Sequence, residues 1–513
     1  MGSSITSAGK EARESMTPKD DFSAHEGKGE GPDAGVSLAS SNRALERKIV
    51  MKTDAVILTF VTLIAFLMFL DKNCLAYANI LGMKVDTHLQ GQEYSWLGSI
   101  FYFGYLTGMP VSAFLITKVP VGRLLGVAAS LWGVVMMCMA ACNNFAGLAT
   151  VRFFLGLLES PAFPSAMILI GNFWKRSEQP LRIALWYNTF AGIFGGLLAF
   201  AINTLHGHLA NWRYLFLIYG SVTVLLGILA FFFLPVSPAT AWFLTPTEKQ
   251  VAIARLADTQ QKNNNDRPSE FKLYQCLEAL RSIKFWVMIL LVLAQGITAA
   301  GITNFNPLII KGFGFSTQRT NLLAAPQAAV GIVAQVALSL LAYFIPNSRC
   351  FWWIVGTMPA LAGAIVIHSV DVNTQRPVAL GGVYLMGFYN VAFVMAMAII
   401  TANTRGSTKR PFVNASMGVA LSVAEIVGPQ FFRQSQAPYY QLGIWALVVS
   451  YAVMIATGGL YWLIAVMENK IRDRNGGGGG DGDGVVAGED HDASMAMDVD
   501  LTDGENKAHR FSY

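Results

Sequence analysis

Charge is the scarcest property of this sequence. Asp, Glu, Lys and Arg make up 13% of its 513 residues, where an ordinary soluble chain carries roughly 25%. Such a chain cannot cover a water-facing surface, so lipid is expected to solvate most of it. Cysteine is scarce too, at five residues, and Cys74, Cys138 and Cys142 lie in apolar runs. No spacing matches a disulfide framework or a zinc site, which leaves them as small buried hydrophobes. The net charge of +5 is small, and its basic residues fall in short loops rather than one patch. That excludes nucleic acid as a partner. No nucleophile, metal-ligand set or acyl-transfer His gathers within the apolar runs, so neither an enzyme nor a cofactor is expected.

Both ends lack packable sequence. Residues 1–53 are polar, without the apolar h-region of a cleaved signal peptide. From Gly476 a five-Gly run gives way to scattered acids between Asp481 and Glu505. Tails at 1–53 and 468–513 are therefore expected to be disordered.

What remains is hydrophobic: 53% of residues and a mean hydropathy of +0.44. A membrane span needs about 20 predominantly apolar residues. Twelve candidates meet that length, at about 55–79, 94–117, 124–142, 147–171, 183–205, 213–234, 285–310, 320–345, 351–370, 379–402, 412–432 and 439–466. The only long connection falls between the sixth and seventh. The fold class is therefore an all-α membrane protein of two six-helix halves, 54–234 and 285–467, joined by a linker at 235–284. Thr245-Pro246-Thr247-Glu248 carries an N-cap, a first-turn Pro and a reciprocal capping Glu, which start a short helix running to about Asp258. Asn263–Asp266 should break it, and Phe271, Tyr274, Leu277 and Leu280 mark one face of a second, amphipathic helix.

Orientation follows from Lys and Arg in the short loops. With a cytoplasmic N-terminus, the inner loops hold nine (Lys118, Arg123, Lys175, Arg176, Arg182, Arg349, Arg405, Lys409, Arg410) and the outer loops six (Lys84, Arg213, Lys311, Arg319, Arg376, Arg433). Both termini are expected in the cytoplasm. Pro120-Val-Gly-Arg123 and Pro346-Asn-Ser-Arg349 stand at equivalent places in the two halves, a faint trace of duplication.

The few charges inside the spans are the candidate machinery, because charge at membrane depth is costly and persists where it faces protein, water or a ligand. Asp71 and Lys72 are adjacent and point about 100° apart, so one can line a cavity while the other bonds a neighbouring helix. Alternatively, the first span ends early and both lie at the interface. Arg152 and Glu159 share a helix face about 10 Å apart, too far for direct pairing. They are either a charge lock between helices or a cavity-facing pair in which Arg152 attracts an anion and Glu159 carries a proton. Glu425 is a third intramembrane acid, for proton coupling or helix packing. Asn304, Asn306, Tyr384, Tyr389 and Asn390 are polar at plausible cavity depth, for substrate or for helix–helix hydrogen bonds. His368 reads as a packing group. A carboxylate in a low-dielectric site resists ionisation until a cation stands near it. A substrate anion that draws the cation away therefore couples proton uptake to its own binding.

Several motifs in order carry a family likeness: Gln92-Glu-Tyr-Ser-Trp-Leu-Gly-Ser-Ile-Phe-Tyr-Phe-Gly-Tyr105, Asn143-Asn-Phe-Ala-Gly-Leu148, Arg152-Phe-Phe-Leu-Gly-Leu-Leu-Glu159, Trp212-Arg-Tyr-Leu-Phe216 and Ile310-Lys-Gly-Phe-Gly-Phe-Ser316. Over about residues 50–470 the chain resembles the fungal allantoate permease family, in the anion:cation symporter branch of the major facilitator superfamily. The resemblance implies a monomeric plasma-membrane carrier that takes a small organic carboxylate together with protons. It also implies that an Asp-Arg pair in the first span and an Arg with a Glu seven residues on in the fourth form the coupling and binding site. Asp71, Arg152 and Glu159 match this pattern, while Lys72 replaces the Arg. The superfamily's gating loop after the second span is represented by Gly122 and Arg123, and its usual Asp is missing from Lys118-Val-Pro-Val-Gly-Arg123. The rival expectations are an exporter of a pathway-specific metabolite and a nutrient receptor built on a transporter scaffold.

Overall fold

In hydrocarbon every backbone N–H and C=O must be satisfied within the segment, and long apolar runs therefore fold as helices. The computed structural model describes residues 45–175, 178–179, 182–183, 190–205, 207–261, 272–345, 347–371, 374–476, 502–505 and 510–511. Among these, every regular element is helical. The chain forms two units: Met1–Lys48, described only at 45–48, and Ile49–Tyr513, which holds all the elements named below.

The first half comprises α1 (Thr59–Ile80), α2 (Glu93–Lys118), α3 (Val121–Cys138), α4 (Phe145–Glu159), α5 (Ala162–Phe173), α6 (Phe190–Asn203) and α7 (Asn211–Phe233). Two linker helices follow, α8 (Pro246–Gln261) and α9 (Leu273–Arg281). The second half comprises α10 (Ile283–Gly312), α11 (Thr317–Phe344), α12 (Arg349–Ser369), α13 (Arg376–Leu385), α14 (Val391–Asn403), α15 (Lys409–Val427) and α16 (Gln441–Gly476). Pro161 separates α4 from α5 within the fourth span, and a 3-10 stretch over Met386–Asn390 separates α13 from α14 within the tenth. Eleven described segments are long and apolar enough to cross a membrane, and Ala191–Asn203 is a shorter twelfth. Large apolar side chains such as Phe114, Phe232 and Phe344 face outward, 63–72% exposed, as a lipid-facing surface requires.

The expected tails need correction where they are described. Residues 45–53 are helical, α16 runs on to Gly476, and residues 502–505 and 510–511 rest on folded structure. The remainder of both tails, the proposed break at Asn263–Asp266 and Phe271 lie outside the described residues. On α9 the apolar stripe of Tyr274, Leu277 and Leu280 points outward at 39–48% exposure. Its buried face holds Gln275, Cys276 and Ala279.

The halves meet along three helix pairs: α1 with α10, α2 with α15, and α6 with α11. One end of this seam is laced together. The Tyr94 hydroxyl donates to the Asn304 carbonyl (2.8 Å), the Ser99 hydroxyl to the Ile426 carbonyl (2.6 Å), and the Gln430 amide to Ser99 Oγ (2.9 Å). Gln92 accepts from the Gln434 N–H (2.9 Å), and Lys311 donates to the Ile80 carbonyl (3.3 Å). At the opposite, linker-bearing end, Arg182 pairs with Asp54 (2.8 Å) and Lys52 with Glu248 (2.7 Å), both within the first half and α8. Lys284 pairs with Glu468 (2.6 Å) within the second half. The far end is thus sealed between the halves, while these linker-end pairs each stay on their own side.

Candidate functional site

The site is built by two helices that touch backbone to backbone. A Cβ on Gly104 would stand 2.0 Å from the Phe153 carbonyl, and one on Gly156 1.9 Å from the Phe101 carbonyl. Only glycine permits this approach of α2 to α4, a use of small residues common in membrane bundles. The Ser112 and Ser160 hydroxyls meet at 2.6 Å along the same seam. The aromatic face of α2 is thereby pressed against the charged face of α4, with α1 beside both.

Lys72 reaches from α1 into this corner. Its Nζ lies 3.4 Å from Glu159 Oε1, an ion-pair distance without hydrogen-bond alignment. Around the same nitrogen, the rings of Phe69, Phe101, Tyr102 and Tyr105 have centroids 5.8 to 5.9 Å away. The ammonium therefore rests in an aromatic box, each face attracting it through its quadrupole. Asp71 and Glu159 are 0% exposed and Arg152 2%. Both oxygens of each carboxylate, and Nε and Nη2 of Arg152, lack hydrogen-bond partners. Arg152 and Lys72 both lie within electrostatic range of Asp71. Across the seam, Glu425 on α15 has Tyr102 as its polar neighbour and also feels Lys72.

Asp71, Lys72, Arg152, Glu159 and Glu425 thus form one cluster to which both halves contribute. The pairing of Lys72 with Glu159 answers the requirement that Glu159 find its cation on another helix. The early-ending first span is ruled out, because α1 continues to Ile80. The cluster is unlike a settled salt-bridge network, in which buried charges are paired and hydrogen-bonded. Such an arrangement can receive an anion at the cations and protons at the carboxylates.

Other sequence candidates are placed elsewhere. Asn304 is committed to helix contacts: its amide donates to the Ala300 carbonyl (2.9 Å), and its own carbonyl takes the Tyr94 hydroxyl at the far-end seal. Asn390 sits in an amide chain, accepting from Gln295 and donating to Gln335, both at 3.2 Å. Asn306 is 5% exposed with an unpartnered Oδ1. Tyr384 and Tyr389 are part-buried, on α13 and the 3-10 stretch after it. Gly122 and Arg123 occupy the first turn of α3 rather than a loop. A Cβ on Gly122 would meet the Leu234 carbonyl at 2.4 Å, so its visible part is close packing of α3 against the end of α7. His368 packs against Trp445, ring centroids 4.7 Å apart and planes tilted by 57°.

Sequence reading missed the aromatic box, although Phe101, Tyr102 and Tyr105 lay inside a quoted motif. It also missed Gln295 and Gln335, whose signal was the one that picked out Asn390: an amide in an apolar run. A surface hollow of about 590 Å³, lined by Val85, Asp86, His88, Leu209 and Arg213, contains none of the clustered charges.

Comparison with known proteins agrees with this architecture. The family described as Major Facilitator Superfamily matches residues 61–429. The chain is 34% identical to the thiamine pathway transporter of Saccharomyces cerevisiae, covering 91% of this chain and 87% of that one. It is 29% identical to the allantoate permease of the same yeast, over 94% and 90%. Among solved structures, the inward-open xylose transporter XylE of E. coli superposes with a TM-score of 0.59 at 14% identity, over 79% of this chain and 95% of that one; this likeness speaks for the fold alone. The chain belongs to the Major Facilitator Superfamily and is a multi-pass membrane transporter, not an enzyme.

Proposed function

We propose that the protein is a proton-coupled carrier of a small organic carboxylate, of the allantoate permease kind, working by alternating access. One observation carries the reading: Asp71, Arg152 and Glu159 are buried side by side with polar atoms left unpartnered. Arg152 and Lys72 attract the substrate carboxylate. Asp71 and Glu159, with Glu425 from the other half, take protons as those cations turn to the substrate. The aromatic box lets Lys72 swing between Glu159 and substrate without entering an apolar void. The laced far end belongs to a state closed on that face, with Asp71, Arg152 and Glu159 shut from solvent at 0–2% exposure, so that release of the cargo falls to the linker side. With Lys and Arg concentrated in the linker-end loops, that side is the cytoplasm, both termini face it, and the membrane is the plasma membrane. Each chain carries its own pathway between its own halves and acts as a monomer.

Charge balance extends the reading to stoichiometry. Fully ionised, three carboxylates face two cations in the cluster. A monocarboxylate makes four against two, and one proton taken up with it returns the cluster to its net charge before binding. Asn306, Tyr384 and Tyr389 contribute substrate contacts from the second half, and Gly122 with Arg123 shapes the turn between α2 and α3 as the halves rock.

The test is a competition screen in proteoliposomes with and without an inward proton gradient, covering small carboxylates, a neutral sugar and an organic cation. Inhibition by carboxylates, strengthened by the gradient, supports the reading. Competition by the organic cation alone would reassign the three acids to cation binding.

A further inference from the structure

The C-terminal residues that sequence reading treats as disordered have a seat. Asp503 Oδ1 lies 2.7 Å from Lys409 Nζ and accepts from the Arg405 N–H (3.4 Å), while its carbonyl accepts from Arg472 (2.9 Å). The Thr502 hydroxyl donates to Glu278 on α9 (3.1 Å). Thr502 and Glu505 bond reciprocally, each backbone N–H to the other's side chain at 2.8 and 3.2 Å, as in a capping box. Phe511 exchanges two 2.9 Å hydrogen bonds with the Asn469 side chain, and Arg510 pairs with Asp473. The Phe511 ring is 2% exposed, with the Lys284 ammonium 3.1 Å from its centroid. Phe511 and Asp503 line a small hollow together with Phe285, Met417 and Tyr461.

We propose that Thr502–Glu505 and Arg510–Phe511 form a latch, an intramolecular ligand for the linker end of the second half. The surface it recognises joins four elements: α9 through Glu278, α15 and the loop leading into it through Lys409 and Arg405, the start of α10 through Lys284, and the last turns of α16 through Asn469 and Arg472. Gln275 completes the assembly by accepting from the N–H groups of Thr408 and Lys409 at 2.9 and 3.0 Å, so α9 caps α15. Seating the latch braces these ends as one block. Its holding forces are one buried ring and a handful of polar contacts, set against the ordering of a chain end. That balance makes it releasable. Negative charge at Thr502 would face Glu278 and expel it. The latch is independent of which substrate the carrier moves.

Hydrogen exchange on the full-length chain in lipid nanodiscs tests it without a substrate. In the wild type, the Thr502, Glu505 and Phe511 amides exchange more slowly than in Phe511→Ala or Thr502→Glu by about tenfold or more. In both variants the Thr408 and Lys409 amides also speed up, Phe511→Tyr behaves as wild type, and amides in the middle of α4 are unchanged, which reports an intact fold. Free exchange of the terminal amides in the wild type would overturn the docking. Release that leaves Thr408 and Lys409 unchanged, with α4 intact, would overturn the bracing.

Discussion

Arg152 is 2% exposed and keeps two guanidinium nitrogens without acceptors. A planar fork held open in a dry site suits a carboxylate, which it can grip with two parallel bonds. Arg152→Ala should weaken substrate binding by about 10- to 100-fold, the worth of one charged hydrogen-bonded contact. Arg152→Lys should recover only part of it. Equilibrium binding in detergent measures this apart from transport; unchanged affinity in the Ala variant would remove Arg152 from the site. Lys72 differs in kind: it is a point charge set among four aromatic rings rather than a planar fork. Asp71, Arg152 and Glu159 were legible in the sequence because charge within an apolar run is rare enough to be a signal. The box was not: Phe and Tyr abound in membrane spans, and nothing local shows that Phe69 and Tyr105, on different helices, surround one ammonium. Asn304 kept both of its readings open in the sequence, since an amide at cavity depth serves a helix contact as readily as a ligand.

Among the elements, the α2–α4 contact is the most sensitive. Gly156→Ala places a methyl 1.9 Å from the Phe101 carbonyl, so the helices must part. A destabilisation of about 1–3 kcal/mol is expected from such overpacking, seen as a lower melting temperature. Uptake should fall further than stability does, because the box moves off Lys72. The linker helix α8 makes a pH prediction. Hydrogen bonds from the Lys52 ammonium hold the Glu248 carboxyl down from its ordinary 4.5 to about 2. Because the folded value is the lower one, this contact contributes fully above about pH 4.5 and is lost as pH falls toward about 2. The melting temperature of Glu248→Gln should therefore fall less between pH 6 and pH 3 than that of the wild type. Equal slopes would show that the pair does not stabilise the linker. The start of α8 was readable from Thr245-Pro-Thr-Glu248, since capping chemistry is local; Thr245 and Glu248 make both reciprocal bonds. The motif from Gln92 to Tyr105 was readable only as a likeness. In the folded chain it divides its work: Gln92, Tyr94, Ser95 and Ser99 seal the far end, and Phe101, Tyr102 and Tyr105 enclose Lys72.

For the whole molecule, the spans and the division into halves follow from counting apolar runs, which lipid makes nearly unambiguous; eleven are span-length among the described residues, and Ala191–Asn203 is shorter. The state of the carrier was not readable, because it depends on which polar groups cross between the halves. The charge arithmetic of the cluster predicts that one proton accompanies each monocarboxylate, so the cycle is electroneutral. One pH unit then supplies about 1.4 kcal/mol, which limits accumulation to about tenfold. A two-proton cycle would move one net positive charge inward and draw about 2.3 kcal/mol more from each 100 mV. A valinomycin-imposed, inside-negative potential should leave uptake unchanged at fixed pH; acceleration by the potential would refute the one-proton count.

The coupling itself is tested most directly by Glu159→Gln, assayed in the same proteoliposomes for gradient-driven accumulation and for counterflow exchange. Accumulation driven by an inward proton gradient should disappear while exchange of internal for external substrate persists, because the variant still binds and rocks but has lost a proton site. Undiminished proton-driven accumulation in Glu159→Gln would contradict the account.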